Sequence, residues 1–102
     1  MFQIKIDPQF TKDYQTFRRR CPQLIDELRI AIDELAQNGE VSQGYRPHML
    51  NNARGNYNGH IDFHLSDGKT DVVVLYLPHK TNPIIRLVRI GEHKQLFQGP
   101  MQ

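Results

Sequence analysis

The chain has 102 residues and a formal charge of +2, a length that holds one two-layer core and no second, so a single domain over 1–102 is expected, with 98–102 as a frayed tail. So mild a balance falls short of the strongly basic signature of an obligate nucleic-acid binder, and the lone Cys21 excludes an internal disulfide and any multi-cysteine zinc site. No apolar run is long enough for a membrane span, and MFQIKIDPQF lacks the apolar core of a signal peptide, so cytoplasmic residence is expected.

FQIKI (2–6) alternates Phe2, Ile4 and Ile6 against Gln3 and Lys5, the pattern of a short half-buried strand. Asp7 followed by Pro8 predicts a helix start, an N-cap carboxylate and then proline at the first helical position. Phe10, Tyr14, Phe17 and Cys21 recur at helical spacing until Pro22, which ends that helix and opens the next. In the second helix Leu24, Leu28, Ile32 and Leu35 form a stripe widened by Ile25 and Ala31, and Asn38-Gly39 supplies a C-terminal cap. Two helices on a tight proline turn predict an antiparallel hairpin. The run Arg18–Arg20, with Arg29, makes a basic helix face. Such a run is ordinarily a solvated surface; the alternative is docking of phosphates or an acidic partner.

Residues 40–56 are polar, with Gly, Pro and Asn scattered through them, and read as a long loop of the kind that often carries function. Strands follow. Residues 60–65 alternate, SDGKT is a hairpin-type turn, and DVVVLYLP (71–78) is apolar on both faces, as a central strand should be. HKTNP turns again into IIRLVRIG (84–91), where Arg86 and Arg89 point to opposite faces, and EHKQLF closes the chain. The expected architecture is α+β: one strand, two helices, then a three-stranded antiparallel meander, with the helices covering one face of the sheet.

In GHIDFHLSD (59–67) the alternation sends Ile61, Phe63 and Leu65 toward the helices and His60, Asp62 and His64 to the open side. Three readings of that polar row stand side by side. It is a solvated face without chemistry; or a metal site, since alternate strand residues lie about 6.6–6.8 Å apart and His-x-Asp-x-His suits zinc or nickel; or the base, acid and anion-orienting groups of metal-free RNA cleavage through the 2′-hydroxyl, with arginines to stabilise the phosphorane. Composition leaves all three open.

From Arg46 to Phe97 the chain resembles the RelE toxin family, the mRNA interferases of toxin–antitoxin pairs, and within it the YafQ branch. The resemblance is carried by His48-x-Leu50, by Asp62-x-His64, by Asp71 opening an apolar strand that ends at Tyr76, and by RIGEHKQLF (89–97) with its Arg, Gly, His and closing Leu-Phe. FTKDYQTF in the helical half matches more loosely. The resemblance implies a RelE-like, microbial-ribonuclease-like fold, a small antiparallel-rich sheet with two N-terminal helices on one face. It implies a cofactor-free, metal-free endoribonuclease that cuts mRNA on the ribosome, touches ribosomal RNA, halts translation and growth, and is held in check by a DinJ/RelB-like antitoxin. It places the active-site set on His48, Asp62, His64, Asp71, His93 and Phe97. In that set His93 is the general acid, His64 a base or phosphate contact, Asp62 and Asp71 orient imidazoles or help take the proton, and Phe97 stacks on a nucleotide.

Three departures matter. Ile61 stands where the family carries a cation, which leaves Arg54, Arg86 or Arg89 to stabilise the phosphorane. The NNARGNYN and SDGKTD segments are longer than the family's, so Asp67 competes with Asp71 for the carboxylate position; Asp71 is preferred because it directly precedes the apolar strand. His60 lies outside the family set. The rival functions are a non-catalytic ParE-like inhibitor of DNA gyrase on the same fold, which lacks the concentrated His/Asp face, and a metal- or RNA-binding module without turnover.

Overall fold

The computed structural model describes residues 1–50, 59–66, 71–78 and 81–92. Among them the chain runs β1 (Gln3–Ile6), α1 (Pro8–Arg20), a 3-10 turn (Pro22–Leu24), α2 (Ile25–Asn38), a second 3-10 turn (Gln43–Tyr45), β2 (His48–Met49), β3 (Ile61–Ser66), β4 (Asp71–Pro78) and β5 (Ile84–Glu92). The strands form one sheet in the order β1-β5-β4-β3-β2. β1 pairs parallel with β5, and the remaining neighbours are antiparallel. The meander expected from the sequence is β3-β4-β5, within a residue or so at each end. Two features of the sheet lie beyond it: the parallel docking of β1 on β5, and the short β2 inside what reads as loop.

Helix α1 begins at Pro8 with Asp7 in extended conformation at the N-cap. The expected side-chain cap is not made. The Asp7 carboxylate instead faces Arg86 Nε at 3.4 Å, while its carbonyl accepts the Thr11 N–H. Arg18, Arg19 and Arg20 fall in the last turn of α1 and are exposed, where cations complement the carboxyl end of a helix. Pro22 opens the 3-10 turn, and α2 stops at Gly39, whose φ of +79° is left-handed and whose N–H reaches Leu35 O. Glycine is required there twice over, since a Cβ would also sit 2.6 Å from the Phe2 ring. The Phe2 N–H donates to Ala36 O at 2.6 Å, fastening β1 to the end of α2. Phe10 near the start of α1 and Ile32 late in α2 line the same apolar groove, as an antiparallel pair requires.

The core lies between the helices and one face of the sheet. Phe10, Phe17, Leu24, Leu28, Ala31 and Leu35 meet Phe63, Leu65, Val72, Val74, Tyr76, Ile85, Leu87 and Ile90. β4 is apolar on both sides because it is the middle strand: Val73 and Leu75 pack on the opposite face with Leu50 and Val88. No described helix is long and apolar enough to cross a membrane.

Between β4 and β5 the register passes from Leu75↔Arg89 to Tyr76↔Leu87, so Val88 is an extra residue, a β-bulge. Past the bulge Ile90 faces the core, and the Arg89 side chain reaches α1. Arg89 there makes a forked pair with Asp13 of α1, Nε–Oδ2 2.7 Å and an η-nitrogen to Oδ1 3.2 Å, and Asp13 also accepts the Ile90 N–H. The fork ties α1 to the end of β5. Arg89→Ala is expected to destabilise the fold by about 2–4 kcal/mol in urea unfolding, because it strands a largely buried carboxylate. Adding Asp13→Asn should return part of that loss. Arg29→Ala, which breaks an exposed pair with Asp26, should change stability by less than about 0.5 kcal/mol.

Candidate active site

The site is assembled by the segment after α2. Glu34 Oε1 accepts both the N–H and the hydroxyl of Ser42, at 2.8 and 2.6 Å, which fixes where the chain leaves the helix. Tyr45 then packs edge-on against Phe63, centroids 5.8 Å apart, and anchors the 3-10 turn on the core. Arg46 closes that turn with φ 53° and ψ 54°, a left-handed conformation that costs a non-glycine residue about 1–3 kcal/mol. The reversal throws the chain outward and back along the sheet edge, where β2 pairs with β3 and sets His48 directly opposite Asp62. Leu50 extends the ladder through its N–H to His60 O at 2.8 Å.

Asp62 is only 1% exposed. The open polar side expected for β3 is therefore corrected at its centre: the carboxylate is buried, with His48 of β2 against it. His48 Nδ1 stands 3.0 Å from Asp62 Oδ1 and 3.4 Å from the carbonyl of Arg46. The approach to Asp62 is a close charge contact without hydrogen-bond geometry. His64 repeats the arrangement one strand over, with Nδ1 3.2 Å from Asp71 Oδ1. The two imidazoles stack, centroids 6.0 Å apart and planes within 21°. Arg46 reaches the same Asp71 oxygen with an η-nitrogen at 3.6 Å. Among the described residues this gathers two imidazoles, each beside a carboxylate, and one guanidinium near an apolar floor of Leu50, Val73 and Leu75. Such a group can take up a proton, orient an anion and neutralise charge within one phosphate's reach.

Of the residues singled out in the sequence, His48, Asp62, His64 and Asp71 are thus brought together. Asp71 holds the place next to His64; its competitor Asp67 lies outside the described residues, as do Arg54, His93 and Phe97. Arg86 is not brought to the cluster. It sits opposite Leu77, four residues along β4 from the Val73 that faces His64, so about 13 Å away along the strand. Arg89 is turned to the helix side and held by Asp13. Sequence reasoning missed Arg46. No periodicity signals it, since Arg46 is left-handed at the end of a turn and not part of the extended segment. Tyr76, on the core side behind β3, does not compete as a base: burial first, and the charge of Glu40 second, push its phenol up to about 12.

The five-stranded sheet with two helices is the α+β fold of RelE/YafQ-like toxins. The family profile described as the bacterial toxin of type II toxin–antitoxin systems, YafQ, matches residues 2–98, and the chain belongs to that family. Its structure is similar to YafQ from Escherichia coli strain BL21(DE3), at 22% identity and TM-score 0.77 over 95% of this chain and 99% of that one. It is similar to the YafQ of an E. coli DinJ–YafQ complex at 23% identity and TM-score 0.75, again over 95% and 99%. A metal-bound toxin from Helicobacter pylori matches at 25% identity and TM-score 0.76 over 95% and 100%. No curated protein sequence matches significantly.

Proposed function

We propose that this toxin is a ribosome-dependent mRNA endoribonuclease that cuts RNA by metal-free acid–base chemistry at the His48/Asp62/His64/Asp71 cluster. The observation that carries the reading is the pair of stacked imidazoles, each with a carboxylate on one nitrogen, beside a guanidinium. In this reading His64, held by Asp71, takes the proton from the RNA 2′-hydroxyl. The 2′-oxygen attacks phosphorus, and the bond to the 5′-oxygen breaks as His93 protonates that leaving group. The ends are a 2′,3′-cyclic phosphate and a free 5′-hydroxyl. His48, set against Asp62, contacts the phosphate, and Phe97 stacks on a neighbouring base. Arg46 supplies the positive charge that the sequence alone assigned to Arg54, Arg86 or Arg89. Of these, Arg54 stays a candidate for substrate contact, Arg86 is too distant, and Arg89 is engaged by α1. The ribosome supplies the substrate positioning that so small a site lacks. The DinJ–YafQ relative supports a cognate antitoxin of the DinJ/RelB kind as the restraining partner, and the exposed Arg18–Arg20 face suits an acidic segment of it or ribosomal RNA. A cytoplasmic location follows from that work.

The test is induced expression without antitoxin, followed by primer extension on a reporter mRNA. Cuts inside the coding sequence, with growth arrest, are expected. Growth arrest with intact mRNA and altered DNA supercoiling would move the protein to the gyrase-inhibitor class. Within the nuclease reading, Arg46→Ala should slow single-turnover cleavage by about 10²–10³-fold, the usual loss for one group that stabilises transition-state charge. Arg46→Lys should recover part of it. Equal rates for Arg46→Ala and wild type would remove Arg46 from the mechanism.

A further inference from the structure

We infer that Lys5 and Arg86 form a second phosphate subsite for the same RNA strand, on the face of the sheet that carries the histidines but away from the cut. The inference rests on the nuclease reading proposed above and extends it to a part of the substrate that does not react. Lys5 of β1 and Arg86 of β5 are partners in the parallel register, and Arg86 stands opposite Leu77 of β4. Their side chains lie on the open face, because the residues that alternate with them, Ile4, Ile85 and Tyr76, pack in the core. With Pro78 and Ile84 the three line a cavity of about 250 Å³.

Three features make this cavity a phosphate seat. Like charges set side by side on neighbouring strands repel each other, and an anion held between them turns that repulsion into attraction. The adjacent carboxylate, Asp7, offsets only one of the two cations, so the row keeps a positive charge. It does so through Arg86 Nε, at 3.4 Å, which holds the guanidinium in place; a phosphate is gripped by the η-nitrogens, and Lys5 adds a point charge beside them. Finally, the floor of Leu77, Pro78 and Ile84 is apolar and can lie against a ribose or a base. A basic groove of this kind follows the backbone of a single strand without regard to sequence.

The distance sets which phosphate is held. Arg86 is two strands across and four residues along from His64, roughly 16 Å on a strand spacing of about 4.8 Å and a rise of about 3.3 Å per residue. That is too far to steady charge on the phosphate being cut. A stacked single strand advances about 3.4 Å per nucleotide and a drawn-out one about twice as far, so the gap spans roughly two to five nucleotides. Between the two sites the described face carries Val73, Leu75 and Val88, apolar surface over which a strand can lie. Contacts to a phosphate so placed fix the register of the RNA and carry no sequence information.

The experiment is single-turnover cleavage by the full chain on ribosomes programmed with synthetic mRNAs, at increasing toxin concentration, so that half-saturation and maximal rate separate. Lys5→Gln and Arg86→Gln should each raise the half-saturating concentration about 10–10²-fold, the worth of one charge-assisted contact. The maximal rate should stay within a few-fold, since neither group touches the reacting atoms. Each mRNA then carries a single uncharged methylphosphonate linkage, moved along the strand. For wild type, a linkage roughly two to five nucleotides from the cut should raise half-saturation by a like factor, and the two variants should not respond to it. Arg86→Gln also gives up the Asp7 contact, so the exposed Lys5 carries the test should that variant melt early. Variants that bind as wild type does, or that lower the maximal rate alone, overturn the subsite. Weak binding that no methylphosphonate position reproduces assigns the contact to ribosomal RNA and overturns the assignment to the cleaved strand. A wild-type chain that cuts no mRNA refutes the nuclease reading, and the subsite with it.

Discussion

His64→Gln is expected to cut mRNA on programmed ribosomes about 10²–10⁴-fold more slowly than wild type, the usual worth of a positioned general base. The reasoning starts from its place. His64 lies in the middle of β3, its side chain 13% exposed, with Val73 opposite on β4, Asp71 on its Nδ1 and the His48 ring stacked beside it. Each contact restricts the ring, so Nε2 is presented in one direction without an ordering cost at the moment of reaction. Glutamine has nearly the volume of histidine and can still donate to Asp71, so the fold should survive; it cannot exchange a proton near neutral pH. Two comparisons sharpen the result. Asp71→Asn should be milder, since it weakens the orientation of the imidazole and leaves the imidazole itself. His60→Ala should be close to wild type, because His60 stands outside the cluster. A folded His64→Gln chain that cleaves within a few-fold of wild type would hand the base's role to His48.

His93→Gln is expected to lose a similar factor, about 10²–10⁴, for the opposite reason: the 5′-oxygen would leave without its proton. The assignment comes from the closing motif RIGEHKQLF, and the position follows β5 directly, one residue past Glu92. Val72, the neighbour of Asp71 on β4, pairs with Glu92, so the chain leaves β5 beside the His64–Asp71 end of the sheet. His93→Gln should still bind its antitoxin and keep its melting temperature, because the sequence pattern leaves residue 93 out of the apolar alternation of the strands. Substrates whose 5′ leaving oxygen is replaced by sulfur, a far better leaving group, need no such acid. On them wild type and His93→Gln should cleave at nearly equal rates. A large difference that persists on the sulfur substrate would mean that His93 positions the phosphate and donates no proton.

Much of this molecule was decided residue by residue along the chain. The helices announce themselves because their apolar positions recur every three to four residues, and Pro8, Pro22 and Gly39 restrict the backbone wherever they stand. The strands of the meander are legible because alternation is a local property of extended chain, and β4 reads as central because both of its faces are apolar. Asp62 and His64 share a face for the same reason. Their chemistry could not be read so directly, because a face says nothing of what lies across from it. His48 meets Asp62 only because β2 pairs in one register with β3, and two paired residues in a polar segment have no periodicity to reveal them. Arg46 turns toward Asp71 through a single left-handed residue. Arg89 is held away from the site by its forked pair with Asp13, a partner far off in the chain. The parallel union of β1 with β5 joins segments some eighty residues apart. Each of these depends on hydrogen bonds and ion pairs between distant parts of the chain, formed only when the packed core has brought those parts together. The sequence thus determined which groups were available for chemistry, and the tertiary structure decided which of them meet.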